Sequence, residues 1–299
     1  MPAPFCTDPD CSLANSRVLL TGAAAYTRDG RSEQLPYELR LCDRCHLGFV
    51  HPVPAEDVLA CFYASDYAYY QDAGRQPASE ARSWKYRAAG LRYRALLAPG
   101  LRHRLAKGFA ALVERLTRKT FTFTLGVPLA LPKGSRILDY GYGTGSWLLS
   151  MRRRGYSALL GYDIAANTYR RDELAAQGLR IVPRLSDLAD ASLDCVRLEH
   201  VFEHLADPLA VLSSLMRKLR PGAFLVMTFP TIYPWLDVQD LASSPFLPHL
   251  QLPIHLAHHS LESSARLLRA AGFVDVVQRL TARERFITLM ARRPLDGGS

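Results

Sequence analysis

The sequence predicts an α/β protein, with a doubly wound, mostly parallel sheet behind a small cysteine-bearing module and a helical insert. Three observations carry that expectation. From residue 135 onward, strand-like and helix-like segments alternate. Three glycines at alternate positions stand directly behind the first of those strands. Four of the six cysteines, Cys6, Cys11, Cys42 and Cys45, fall near the start of the chain. Strands alternating with helices of about 10–15 residues build parallel sheets, because each crossover helix carries the chain back to the start of the next strand. The expected boundaries are a module at 1–60, a basic helical linker or lid at 61–133, and the sheet domain at 134–299.

The elements follow in order. RILDY is a buried strand, and SWLLSMRRRG is a helix stopped by Gly155. ALLGYD is the second strand. AANTYRRDELAAQG is a helix ended by Gly178. LRIV and LDCVRLE are the third and fourth strands. DPLAVLSSLMRKLRPG is a helix with Asp207 at its N-cap and Pro208 in its first turn. AFLVMTF is the fifth strand. SLESSARLLRAAG is a helix capped by Ser260, and FVDVVQRL and RFITLMARR are two closing strands, seven in all. Within the first module, SRVLLTGA and YELRLC are strand-like.

Composition excludes several classes. Hydrophobic residues make up 48% of 299, enough for a large core, so a disordered chain is not expected. No apolar run approaches the ~20 residues of a membrane span. MPAPFCTDPDCS has neither a basic n-region nor an apolar h-region, so no secretory signal is expected. Six cysteines then read as metal ligands or free thiols in a reducing, cytoplasmic setting.

The glycines Gly141, Gly143 and Gly145 occupy the turn from first strand to first helix, where ligands of doubly wound sheets bind. Glycine lets a ligand approach the backbone and tolerates positive φ. The helix N-terminus behind the loop offers free N–H groups to a carboxylate or phosphate. Asp163 ends the second strand, after the first strand's Asp139, at a place where a carboxylate can grip both hydroxyls of a ribose. The spacing is G-x-G-x-G with Ser146 next, which departs from the dinucleotide fingerprint and weakens a nicotinamide reading.

Residues 135 to 291 resemble the class I S-adenosylmethionine-dependent methyltransferases. The resemblance rests on ILDYGYGTG, GYDIA, LSDL, VFEHLADPLAVL, LRPGAFLVMTFP and HLAHHSLESSARLLRAAGF. It is nearest to small-molecule methyltransferases related to ubiquinone biosynthesis, many of which carry a cysteine module in front. That implies methyl transfer to an oxygen or carbon of a sugar, polyketide-like or quinone-like precursor, with RNA methylation or a catalytically idle cofactor-binding scaffold as the alternatives. The resemblance implies a Rossmann-like sheet with a reversed final hairpin and S-adenosylmethionine lying across the first two strands. On this sequence the cofactor contacts would be Asp139, Gly141, Gly143, Gly145, Asp163, Ile164, Asp187 and Glu199. The glycines would flank the methionine moiety, Asp163 would bind the ribose, and Asp187 would reach the adenine amino group. Tyr142 departs from the Cys that many relatives carry there.

Cys6-x4-Cys11 and Cys42-x2-Cys45 offer four thiolates for a tetrahedral structural Zn²⁺, with Asp8, Asp10 and His46 as nearby alternatives. Metal would stabilise a segment too small for a large core. Cys61 and Cys195 read as core.

Methyl transfer to a hydroxyl or carbon acid needs an aligned nucleophile and a proton acceptor, for which histidine is the usual choice near neutral pH. The expected bases are His255, then His204, then His249. His258 and His259 read as exposed loop or first-turn residues. In His200-Val-Phe-Glu203-His204, Glu203 is expected to brace its loop. The resemblance associates a divalent ion with an acid three residues before Glu203, where this chain has His200.

The net charge is +9, and it is concentrated. Between Arg75 and Arg136 there are 14 Lys and Arg against two acids, so that stretch carries +12 and the remainder −3. Leu101, Leu105, Phe109, Leu112 and Leu116 form one helical stripe with basic residues around it. Four readings stand open: a lid with a solvated basic face, a site for an anionic small-molecule acceptor, a peripheral contact with anionic membrane, and RNA. RNA is disfavoured by the lack of glycine-aromatic RNA-binding motifs.

Overall fold

The computed structural model describes residues 5–7, 11–63, 131–164, 168–232, 250–281 and 286–296. The basic stripe, His249, Asp8 and Asp10 lie outside them.

The larger sheet has seven strands: β4 (Ile137–Tyr140), β5 (Leu159–Tyr162), β6 (Arg180–Ile181), β7 (Leu193–Glu199), β8 (Leu219–Pro230), β10 (Val274–Thr281) and β11 (Phe286–Arg292). Their spatial order is β10-β11-β8-β7-β4-β5-β6. β4 pairs in parallel with β5 and β7, and β7 with β8. β11 runs antiparallel to both β8 and β10. The reversed hairpin implied by the resemblance is therefore present.

Four helices connect this sheet: α1 (Ser146–Arg153), α2 (Thr168–Ala176), α3 (Pro208–Lys218) and α4 (Leu261–Ala270). Their ends follow the local signals. Asp207 Oδ1 accepts from the Ala210 N–H at 2.9 Å, and Pro208 opens α3. Ser260 and Ser263 form a reciprocal capping box on α4, a device worth about 1 kcal/mol. Two apolar layers cover the sheet. One packs Leu138, Val196 and Leu225 with α3 and α4, and the other packs Ile137 and Cys195 with Leu148 and Met151 of α1.

The chain leaves β4 through β5 and β6 on one side, then returns to β7 and β8 on the other. β4 and β7 thus flank the point where strand order reverses, and in doubly wound sheets ligands bind beyond the carboxyl ends of the strands at that point.

The first module departs from two short strands. β1 (Ser16–Arg28) and β2 (Arg31–Cys42) form one long antiparallel hairpin, extended by β3 (Gly48–His51). The fourth strand of this sheet is β9 (Ala257–His258), which comes from the other end of the chain. That pairing buries His258 and His259 completely. The expectation of exposed histidines is corrected: a segment without regular pattern became a strand because β3 supplied a partner. The third sheet strand is also shorter than LRIV, only Arg180–Ile181.

Candidate functional site

The glycine loop sits at the carboxyl end of β4, and its three glycines have three different surroundings. A Cβ on Gly141 would lie 2.3 Å from Val201 Cγ2, and one on Gly145 would lie 2.6 Å from Leu174 Cδ1. A Cβ on Gly143 would meet nothing within 4 Å among the described residues. Gly141 and Gly145 are therefore required by close packing. Gly143 faces open space, and its φ of +51° is one that side-chain-bearing residues avoid. The loop is tied to β5: Gly141 N–H donates to the Tyr162 carbonyl at 2.6 Å, and Gly143 N–H donates to Asp163 Oδ2 at 2.8 Å. Asp163 and the central glycine are thus brought together. Ile164, beside them, is 80% exposed, an unusual position for a large apolar side chain.

Asp139 does not face that space. It is 1% exposed, and its Oδ1 accepts from Arg197 Nη1 at 2.7 Å. Burial pushes its carboxyl up to about 6, with Arg197 opposing. Arg197 also lies 3.1 Å from Glu199 Oε2 and stacks over the Trp147 ring at 4.5 Å. Sequence reading missed Arg197. A charged residue inside an otherwise apolar strand was the available signal, because such a charge needs a buried partner. Asp187 sits on a short 3₁₀ turn (Leu185–Asp187), where it accepts from Arg184 Nε at 3.2 Å.

Val201 joins the glycine loop to the histidines, since it precedes a second 3₁₀ turn at Phe202–His204. Glu203 is fully buried, and neither of its carboxylate oxygens has a hydrogen-bond partner among the described residues. Its Oε1 is 3.4 Å from His200 Nδ1 and 4.0 Å from His255 Nε2. Burial pulls His200 down, but the Glu203 carboxylate outweighs it and the net shift is upward. His255 is 4% exposed, with Nδ1 unpartnered among the described residues, and burial holds it far below the ordinary imidazole range. It is a neutral imidazole near pH 7.

His204 is held differently. Its Nδ1 lies 3.2 Å from the Ile254 carbonyl and 3.1 Å from the Tyr63 hydroxyl. A protonated Nδ1 satisfies the carbonyl, which leaves the tyrosine oxygen to accept the second branch. The rings of His204 and His255 meet edge-on at 4.7 Å. Ligand atoms of Glu203, His204 and His255 all lie within 4.8 Å of one another. This set can share a proton, and its donor types also suit a divalent cation. The structure supplies His255 where the sequence offered only His200 as the missing partner. No sequence signal linked positions 203 and 255, which meet only through the fold.

Three of the four candidate zinc ligands cluster. Cys6 Sγ is 3.5 Å and Cys11 Sγ 3.8 Å from Cys45 Sγ. Cys42 is buried in the same apolar cluster, but the ligand atoms found within 4.8 Å of one another are those of Cys6, Cys11 and Cys45. Zn–S bonds of ~2.3 Å put the edges of a tetrahedron at about 3.8 Å, so these spacings fit the metal. Their thiols are free. Hydrogen bonds with Cys45 and Cys6, and then burial, raise the Cys11 thiol steeply, as expected of thiols crowded without a cation. Cys195 is core, as expected, and Cys61 is half-buried.

A family model described as a methyltransferase domain matches residues 101–278. Among curated proteins, the tRNA 5-carboxymethoxyuridine methyltransferase of Escherichia coli strain K12 is 31% identical over 108 residues, 33% of this chain and 41% of that protein. The ubiquinone biosynthesis O-methyltransferase of Neisseria meningitidis serogroup C is 32% identical over 102 residues, 31% of this chain and 43% of that protein. The chain spans about two-fifths of the length of these relatives. Among solved structures, an S-adenosylmethionine-dependent methyltransferase from Mesorhizobium loti matches with a TM-score of 0.42 and 20% identity, over 55% of this chain and 94% of that one.

Proposed function

The chain belongs to the methyltransferase-domain family, and on that premise we propose that it transfers a methyl group from S-adenosylmethionine to an oxygen or carbon of a small molecule. The acceptor class is a sugar, a polyketide-like or a quinone-like precursor. The observation that carries this reading is Gly143: it stands at the point of strand reversal, its missing side chain meets no described residue, and its N–H is fastened to Asp163. Similarity to a ubiquinone biosynthesis O-methyltransferase supports the quinone-like member of that class.

Gly143 and Asp163 would hold the cofactor's amino-acid and ribose portions, Ile164 would cover the adenine, and Asp187 would meet its amino group. Glu199 would close the loop side, and Asp139 would act from below by holding Arg197. The cofactor supplies an electrophilic methyl on sulfur. His255, neutral and buried, would take the acceptor's proton, with the Glu203 carboxylate 4.0 Å from its Nε2. The carboxylate would then stabilise the imidazolium, once the 4.0 Å approach shortens around a bound acceptor. His204 is the second candidate, but its Nδ1 contacts suit it better to bracing the arm that carries Ile254 and His255.

Zinc at Cys6, Cys11, Cys42 and Cys45 would be structural, holding the turn below β3. The basic stretch would meet an anionic acceptor or anionic membrane. No helix among the described residues is long and apolar enough to cross a membrane. RNA as acceptor is a second reading, favoured by the tRNA-modifying relative.

Titration calorimetry with S-adenosylhomocysteine tests the cofactor site. A labelled-methyl screen over sugar nucleotides, phenols and RNA tests the acceptor. No heat of binding removes the enzyme reading, and label only in RNA selects the second one.

A further inference from the structure

The histidine-bearing arm of the site, residues 250–260, is fastened to the cysteine module at several points. Gly48 and Phe49 of β3 pair with His258 and Ala257 of β9, and Val50 N–H donates to the Leu256 carbonyl at 2.9 Å. Gly48 has no room to spare, since a Cβ there would lie 2.6 Å from Ile232 and 3.2 Å from His258. Leu256 and Ala257 lie in one apolar cluster with Phe5, Leu47, Phe49 and the four candidate zinc ligands. Ser260 Oγ donates to the carbonyl of Cys45 at 2.7 Å, across 215 residues of sequence. Tyr63, just past the expected end of the module, places its hydroxyl on His204.

Ser260 uses its hydroxyl twice. The oxygen accepts from Ser263 N–H at 3.0 Å, capping α4, while its single proton goes to Cys45. The start of the arm's helix and the turn bearing a candidate metal ligand therefore share one atom. The glycine loop takes its tethers elsewhere, from Tyr162 and Asp163.

We propose that the cysteine module is a positioning element for the acceptor side of the active site, acting on His255 through β9 and Ser260 and on His204 through Tyr63. The proposal rests on the zinc reading given above. A cation lets thiolates sit at 3.5–3.8 Å, which fixes the Cys42–Cys45 turn, and the turn fixes the arm. Without it, the crowded thiols separate and the Cys45 carbonyl moves with them. Cofactor binding, held by β4 and β5, stays intact.

The test is hydrogen exchange of the amides of 254–260 in the full chain, as isolated and after stripping with a chelator. Metal content and S-adenosylhomocysteine affinity are measured on the same samples. Exchange in 254–260 should rise by about 10-fold or more on metal loss, while affinity stays within about twofold. Unchanged exchange, or parallel loss of affinity, overturns the proposal alone. A chain isolated without metal overturns the zinc reading and the proposal together. Ser260 variants isolate the tether in metal-loaded protein. Ser260→Thr keeps donor and acceptor and should retain wild-type protection. Ser260→Asp keeps the cap but cannot donate to Cys45 and should lose it, and equal protection in both variants sinks the link. Tyr63→Phe should move the ring resonances of His204, and unmoved resonances remove Tyr63 from the proposal.

Discussion

Glu203 and His255, on separate segments of the chain, approach to 4.0 Å in the interior, and the carboxylate has no hydrogen bond of its own among the described residues. A fully buried carboxylate whose near neighbours are two imidazoles, His200 at 3.4 Å and His255 at 4.0 Å, is costly, so its retention points to a task. Holding the positive charge of a protonated imidazole is one that this geometry allows.

His255→Ala should therefore lower turnover by roughly 10²-fold or more while leaving S-adenosylhomocysteine affinity unchanged. Calorimetry alongside a labelled-methyl assay checks it. Lost affinity would reassign His255 to a structural part.

Glu203→Gln should lower the pKa of His200, because the carboxylate is what raises it against burial. Histidine resonances followed through a pH titration would show the fall, and an unmoved His200 would mean that the two side chains do not interact in solution.

Acid should unfold the protein through its buried histidines. Burial lowers His258 and His259 to about 3 from an ordinary 6.5. A base with a lowered folded pKa contributes stability that is full above 6.5 and is lost as pH falls toward 3, because the unfolded chain takes up the proton first. Each contributes a slope of about 1.4 kcal/mol per pH unit in that window. Urea midpoints between pH 7 and 5 should show the slope, and His258→Leu should remove one proton's share. An unchanged slope in that variant would contradict the burial. Since neither His258 ring nitrogen has a partner among the described residues, the variant should also be no less stable at pH 7.

Two glycines should separate folding from binding. Gly141→Ala drives a methyl to 2.3 Å from Val201 and should destabilise the fold, by more than the ~1–2 kcal/mol of left-handed strain alone. Gly143→Ala meets nothing among the described residues and should cost only that strain, yet weaken S-adenosylhomocysteine binding by at least about 10-fold. Thermal melts and calorimetry on both variants decide it, and full affinity in Gly143→Ala would move the cofactor elsewhere.

Zinc at the cysteine cluster, as proposed, should be felt as stability on its removal. Cys45→Ser should abolish metal retention after dialysis and lower the melting temperature, whereas Cys195→Ser, at a core cysteine outside the cluster, should keep the metal. Elemental analysis of both proteins checks the contrast, and metal retained by Cys45→Ser would exclude it as a ligand.

The sequence by itself determined the doubly wound sheet, its helix caps and the glycine turn. These depend on signals only a few positions long: apolar runs, Asp207 and Ser260 as caps, and glycines where positive φ or close approach leaves no alternative. The cysteine pairs were legible for the same reason, since Cys6-x4-Cys11 and Cys42-x2-Cys45 are each a spacing of a few positions. Only the tertiary structure decided the rest. It set Arg197 against Asp139, brought Glu203 to His255, drew His258 and His259 into a strand beside β3, and joined Ser260 to Cys45. The members of each pair lie on elements far apart along the chain. Nothing local records such contacts, because packing of whole elements, and not backbone preference, brings their partners within reach.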